Sequence, residues 1–79
     1  MGQHVRTHDA DSSADARFLE LGMRAATAGA DLVSAHKWFN LAAMHGNREA
    51  ARLRHEIAAE MSPAEIAAAQ RAARQWIAG

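Results

Sequence analysis

The chain has no cysteine and no tyrosine, a single proline, and only two tryptophans and two phenylalanines among 79 residues. Without cysteine, neither a disulfide nor a thiolate metal site can staple so short a fold. With Pro63 alone, almost nothing interrupts helical backbone. No window alternates apolar and polar residues over a strand's length, which argues against a sheet. No long apolar run is present either, so neither a secretory signal nor direct membrane insertion is expected. The opening Met1-Gly2-Gln3-His4-Val5-Arg6 is polar, and Arg6 stands where an N-myristoylation pattern wants Ser or Thr. A cytoplasmic location follows by default.

Charge of one sign is also missing. Nine Lys+Arg stand against nine Asp+Glu, a formal net charge of +0. Affinity for nucleic acid comes largely from neutralised phosphates, so a nucleic-acid partner is disfavoured. The apolar fraction of 49% is largely alanine, whose burial removes little area from water. A domain of this size is therefore expected to be marginal, and to rely on tight helix packing, association, or both.

The residues that are abundant are patterned for helices. Residues 1–11 are mostly polar and read as a disordered arm, leaving 12–79 as a single domain. Ser12 or Ser13 is the expected opening of a first helix, with Asp15 three residues after Ser12 in a capping-box-like arrangement. Phe18, Leu21, Gly22 and Ala25 form its stripe, Glu20 and Arg24 pair at i,i+4, and Gly29 stops it. Asp31 caps a second helix bearing Leu32, Ala35, Trp38, Phe39, Ala42 and Ala43. His45-Gly46-Asn47 ends that helix and caps a third, whose inner side carries Ala50, Leu53, Ile57 and Met61. Ser62-Pro63-Ala64-Glu65 is a capping box with proline at the first helical position. The fourth helix then runs through Ile66, Ala69, Ala73, Trp76 and Ile77.

The predicted fold is all-α: four helices joined by short loops, so that sequence neighbours pair as antiparallel hairpins. Gly22 and the alanines let axes approach closely. Phe18, Trp38, Phe39, Leu53, Ile57 and Trp76 are expected to fill what the alanines leave.

The segment Leu21–Ala51 carries a Leu-Gly pair (Leu21, Gly22), a glycine turn, and Ala35, Trp38, Ala42, Ala43, Gly46 and Ala50 at the spacings A-x-x-W-x-x-x-A-A-x-x-G-x-x-x-A. This resembles the Sel-one-like repeat, a relative of the tetratricopeptide repeat. The run from Ala58 to Trp76 is similar to the closing segment after the last repeat of bacterial members. Two departures stand out. Ala25 occupies a position where the family often has tyrosine, and the connection Thr27–Asp31 is shortened. The resemblance implies a helical-hairpin fold and a role in protein–protein interaction. It also implies that the first helix lines the concave side, which makes Arg17, Glu20, Arg24 and Thr27 candidate partner contacts. A single repeat lacks the neighbours that stabilise such folds, so a second chain is expected to cover part of the surface.

Candidate chemistry is sparse. His4 and His8 lie in the predicted arm. His36, His45 and His55 fall at separate places, so no metal site is expected; His45 suits a helix C-terminus and the others read as surface residues. There is no nucleophile elbow, no phosphate-cradling glycine loop and no convergent acid–base set, so no catalytic residue, cofactor or small-molecule substrate is expected. Glu49, Glu56 and Glu60 read as a solvated face. Arg48 and Arg52 on the third helix, with Arg71 and Arg74 on the fourth, are the residues a nucleic-acid-binding regulator would use. Trp76 and Ile77, in the last turn of the fourth helix, are the candidates for a partner or self-association surface. The expected function is thus a non-enzymatic adaptor or small accessory subunit that binds another protein. A self-assembling structural protein is the alternative.

Overall fold

Three short polar side chains set where helices begin. Asp31 accepts a hydrogen bond from the Ser34 N–H at 3.1 Å, Asn47 from that of Ala50 at 2.7 Å, and Ser62 from that of Glu65 at 3.1 Å. Each satisfies an N–H that the first helical turn leaves without an intrahelical partner. In the computed structural model these caps open three of four helices: α1 (Gly2–Ala28), α2 (Leu32–Met44), α3 (Arg48–Ala58) and α4 (Pro63–Ala78). The structure describes the backbone of residues 2–28 and 31–79 and the side chains of residues 14–27 and 31–79. Among the described residues the fold is all-α, as the periodicity predicts.

The junctions follow the local chemistry closely. Ser62 and Glu65 form a reciprocal capping box with Pro63 in the first turn, where its missing N–H costs nothing. Between α2 and α3, Gly46 takes φ +94, a left-handed conformation that favours glycine. Its N–H donates to the Ala43 carbonyl at 2.9 Å, and the Asn47 N–H donates to the Ala42 carbonyl at 3.1 Å. That pair of bonds is a Schellman motif, and Asn47 closes one helix while opening the next.

The start of α1 differs from expectation. Helical backbone begins at Gly2 and runs on through Ser12 and Ser13, so neither serine opens the helix. The side chains of the segment 1–11, anticipated as an arm, lie outside the described residues, as does the expected stop at Gly29.

Pairings across the first hairpin give its direction. Asp15 meets Asn47, Phe18 meets His45 and Gly22 meets Phe39, a descending series that makes α1 and α2 antiparallel. The two-residue turn after His45 and the bond from Arg54 to Asn40 at 2.6 Å fold α3 back on α2 in the same way. The last helix departs from the expected hairpin order. It packs mainly on α2, and no comparable packing joins it to α3. Ala59, Glu60 and Met61 tighten the intervening turn through bonds to the third residue back, and Met61 tucks inward.

α2 thus has a neighbour helix on three sides, and among its residues only Met44 is exposed. Ala35, Phe39, Ala42 and Ala50 form the buried centre, with Phe18, Leu19, Ala25, Ala26, Leu53 and Ile57 around it. Leu41, Ala69 and Ala73 are buried as well. His36, anticipated as a surface residue, is buried too, because no side of α2 is left free for it. Its Nδ1 has no hydrogen-bond partner among the described residues. Desolvation first, and the charge of Arg54 second, hold its pKa below the ordinary 6.5.

Two expectations follow. A Cβ at residue 22 would lie 2.5 Å from both Cδ1 and Cε1 of Phe39. Over-packing costs about 1–3 kcal/mol, against about 1 kcal/mol of helix propensity gained by removing glycine. Gly22→Ala should therefore destabilise the fold in urea denaturation, by about 1 kcal/mol net. In a Phe39→Leu background, itself less stable, the same glycine change should cost less; strict additivity of the two changes would refute the contact. Next, a histidine held neutral in the fold binds fewer protons than the unfolded chain does. Its contribution is complete above pH 6.5 and declines as pH falls below that value toward its folded pKa. Stability measured across that window should fall for the wild type and fall less for His36→Leu.

Candidate functional site

The end of the bundle where α1, α2 and α4 meet carries an aromatic cluster. Phe18 stacks on Trp38 with ring centres 5.8 Å apart and planes 15° apart. Trp76 meets Trp38 edge to face at 5.0 Å and Phe18 at 6.4 Å, and His45 lies 5.5 Å from Phe18. Edge-to-face and offset pairs are favoured because the negative face of one ring meets the positive edge of another. Lys37 completes the group: its Nζ stands 4.0 Å from the centre of the Trp38 ring and 5.7 Å from that of Trp76.

Short-range chemistry at the α2–α3 junction holds α1 beneath this cluster. The Asn47 amide donates to the Asp15 carboxylate at 2.6 Å, a bond joining residues far apart in sequence. Asp15, anticipated as part of a cap, instead ties α1 to the junction one turn from Phe18.

Trp76 remains 53% exposed and Ile77 55% exposed. Gln75, Trp76 and Gly79 line a shallow, open depression beside them. These two of the six candidate contacts form a patch. The other four, Arg17, Glu20, Arg24 and Thr27, are all exposed, on the side of α1 turned away from Gly22 and α2. There Arg24 pairs with Glu20 at 3.2 Å, and the Thr27 hydroxyl donates to the Met23 carbonyl at 2.9 Å. That stripe is a solvated helix face, with one ion pair between its members and one hydroxyl bonded to its own helix backbone.

The arginines expected to act together are divided by their partners. Arg52 reaches both Glu49 and Glu56 at 2.5 Å. Their carboxylates, led by the Glu49 hydrogen bond, hold its pKa above the ordinary guanidinium value. Arg71 and Arg74, on α4, have no carboxylate within ion-pair distance among the described residues. Lys37 was not anticipated as part of any site. The available signal was that it is the single Lys, Arg, Asp or Glu of α2 and directly precedes Trp38. Among the described residues no three His, Cys, Asp or Glu converge as a metal site would require. Among the described residues no helix is long and apolar enough to cross a membrane.

Comparison with protein-family models, with curated proteins and with solved structures finds no match to this chain.

The Asn47–Asp15 bond gives a direct test of how the cluster is held. Asn47→Asp keeps an oxygen to cap α3 but removes the donor and sets two carboxylates together. We expect a loss of about 1 kcal/mol in chemical denaturation, recovered when Asp15→Asn is added so that the amide donates from the other side. Failure of the exchange to restore stability would show that the bond is incidental.

Proposed function

We propose that this chain is a non-enzymatic protein-contact module, an adaptor or small accessory subunit, that docks a partner protein through the aromatic end of its bundle. The observation that carries the proposal is Trp76 with Ile77: large, half-exposed and apolar, yet with the indole fixed by Phe18 and Trp38. A side chain already immobilised loses little freedom on binding, and tryptophan is enriched where interface energy concentrates.

Kinship with the Sel-one-like repeat belongs to the same proposal. Its support is the spaced signature, in which Ala35, Ala42 and Ala50 are buried and Gly46 has positive φ. The predominant packing of α4 on α2 instead of α3 is a feature that kinship has to accommodate. The bacterial source implied by the resemblance, and the cytoplasmic location expected by default from the sequence, belong to this proposal.

The test is retention of proteins from source-cell extract on the immobilised chain, compared with Ile77→Asp, an exposed change that leaves the aromatic cluster intact. A discrete protein held by the wild type and lost from the variant is expected. Identical retention by the two would remove this surface from consideration.

A further inference from the structure

The exposed charges are paired unevenly. Among the described residues, nearly every carboxylate is engaged within the chain: Asp15 by Asn47, Glu20 by Arg24, Asp31 by Ser34, Glu49 and Glu56 by Arg52, and Glu65 by Ser62. Among the described residues the cations around the apolar patch have no carboxylate partner. Lys37 lies over the Trp38 and Trp76 rings. Beyond Glu65, α4 carries Arg71 and Arg74 and no acidic residue. Arg74 is one turn before Ile77, on the same helical row. A chain of zero net charge thus presents an apolar patch bordered by cations.

We propose that this surface receives an acidic, apolar segment of a partner protein, in which carboxylates pair with Lys37 and Arg74 while an apolar side chain settles on Trp76 and Ile77. The inference rests on the protein-contact reading above and specifies the partner's chemistry. A second copy of the chain fits poorly, since a two-fold pairing of this patch would bring the cations of one copy against those of the other. Nucleic acid or an anionic bilayer would be held by many cations together. Here α3 adds little net charge to such a field, because Glu49 and Glu56, both bound to Arg52, offset two of its three arginines.

The experiment is fluorescence anisotropy of a labelled amphipathic peptide of glutamate and leucine, titrated with the full chain. Matched probes replace glutamate by lysine or leucine by serine, and a single-stranded oligothymidylate and phosphatidylserine vesicles serve as competitors. The glutamate–leucine peptide should bind, weaken as salt rises, and lose about fivefold or more in affinity in Lys37→Glu and again in Arg74→Glu. Arg74 is exposed, so its reversal remains informative if the change at Lys37 loosens the rings; thermal melts identify that case. Equal binding of the lysine–leucine peptide, displacement by the oligonucleotide or vesicles, insensitivity to Arg74→Glu, or no binding would each overturn the proposal. If an extract protein is still lost in Ile77→Asp while the acidic peptide fails, the contact surface stands and only the partner chemistry falls. If both fail, the protein-contact reading falls with it.

Discussion

The ring of Phe39 occupies space that any side chain at residue 22 would fill, and the first hairpin is arranged around that contact. Glycine in a helix interior carries a conformational cost, so its presence requires a compensating gain. Here the gain is a buried phenylalanine lying between α1 and the alanines of α2 and α3. Once α1 is this close, Asp15 can reach Asn47, and Phe18 can reach Trp38 and His45. The aromatic end of the bundle therefore depends on a residue with no side chain.

The starts of α2, α3 and α4 were readable from the sequence because they are set within a few residues, whereas the start of α1 was not. Asp31, Asn47 with Gly46, and Ser62 with Pro63 and Glu65 all act over one turn, and all stand where their chemistry places them. What joins helices to one another was less legible. A single apolar stripe describes a helix with one buried face, whereas α2 is enclosed by three helices; that is why Leu41 and His36 are inside though neither lies on its expected stripe. The placement of α4 against α2 was equally hidden, because a short connection suggests pairing with the preceding helix, and Ala69 and Ala73 mark the inner face of α4 without saying which helix it meets.

The candidate surface divides along the same line. Trp76 and Ile77 could be picked out because large apolar residues at the last turn of a helix have few neighbours to cover them. The α1 stripe was identified by resemblance, and its side chains bond mostly within their own helix. The role of Lys37 required three dimensions, since the rings it stands over come from two helices. Charge totals conceal this arrangement: a neutral sequence does not imply an evenly neutral surface when its acids and bases fall on different parts of the helices.

The meeting of Trp38 and Trp76 has one further consequence. They are the only tryptophans, there is no tyrosine, and they touch at 5.0 Å across the α2–α4 boundary. The near-ultraviolet signal of the chain therefore originates almost entirely at one junction, where two indoles are close enough to couple electronically. In most proteins that signal averages over scattered chromophores. Here it is a local gauge of how α4 is seated, and it separates loosening of the last helix from loss of helical content elsewhere.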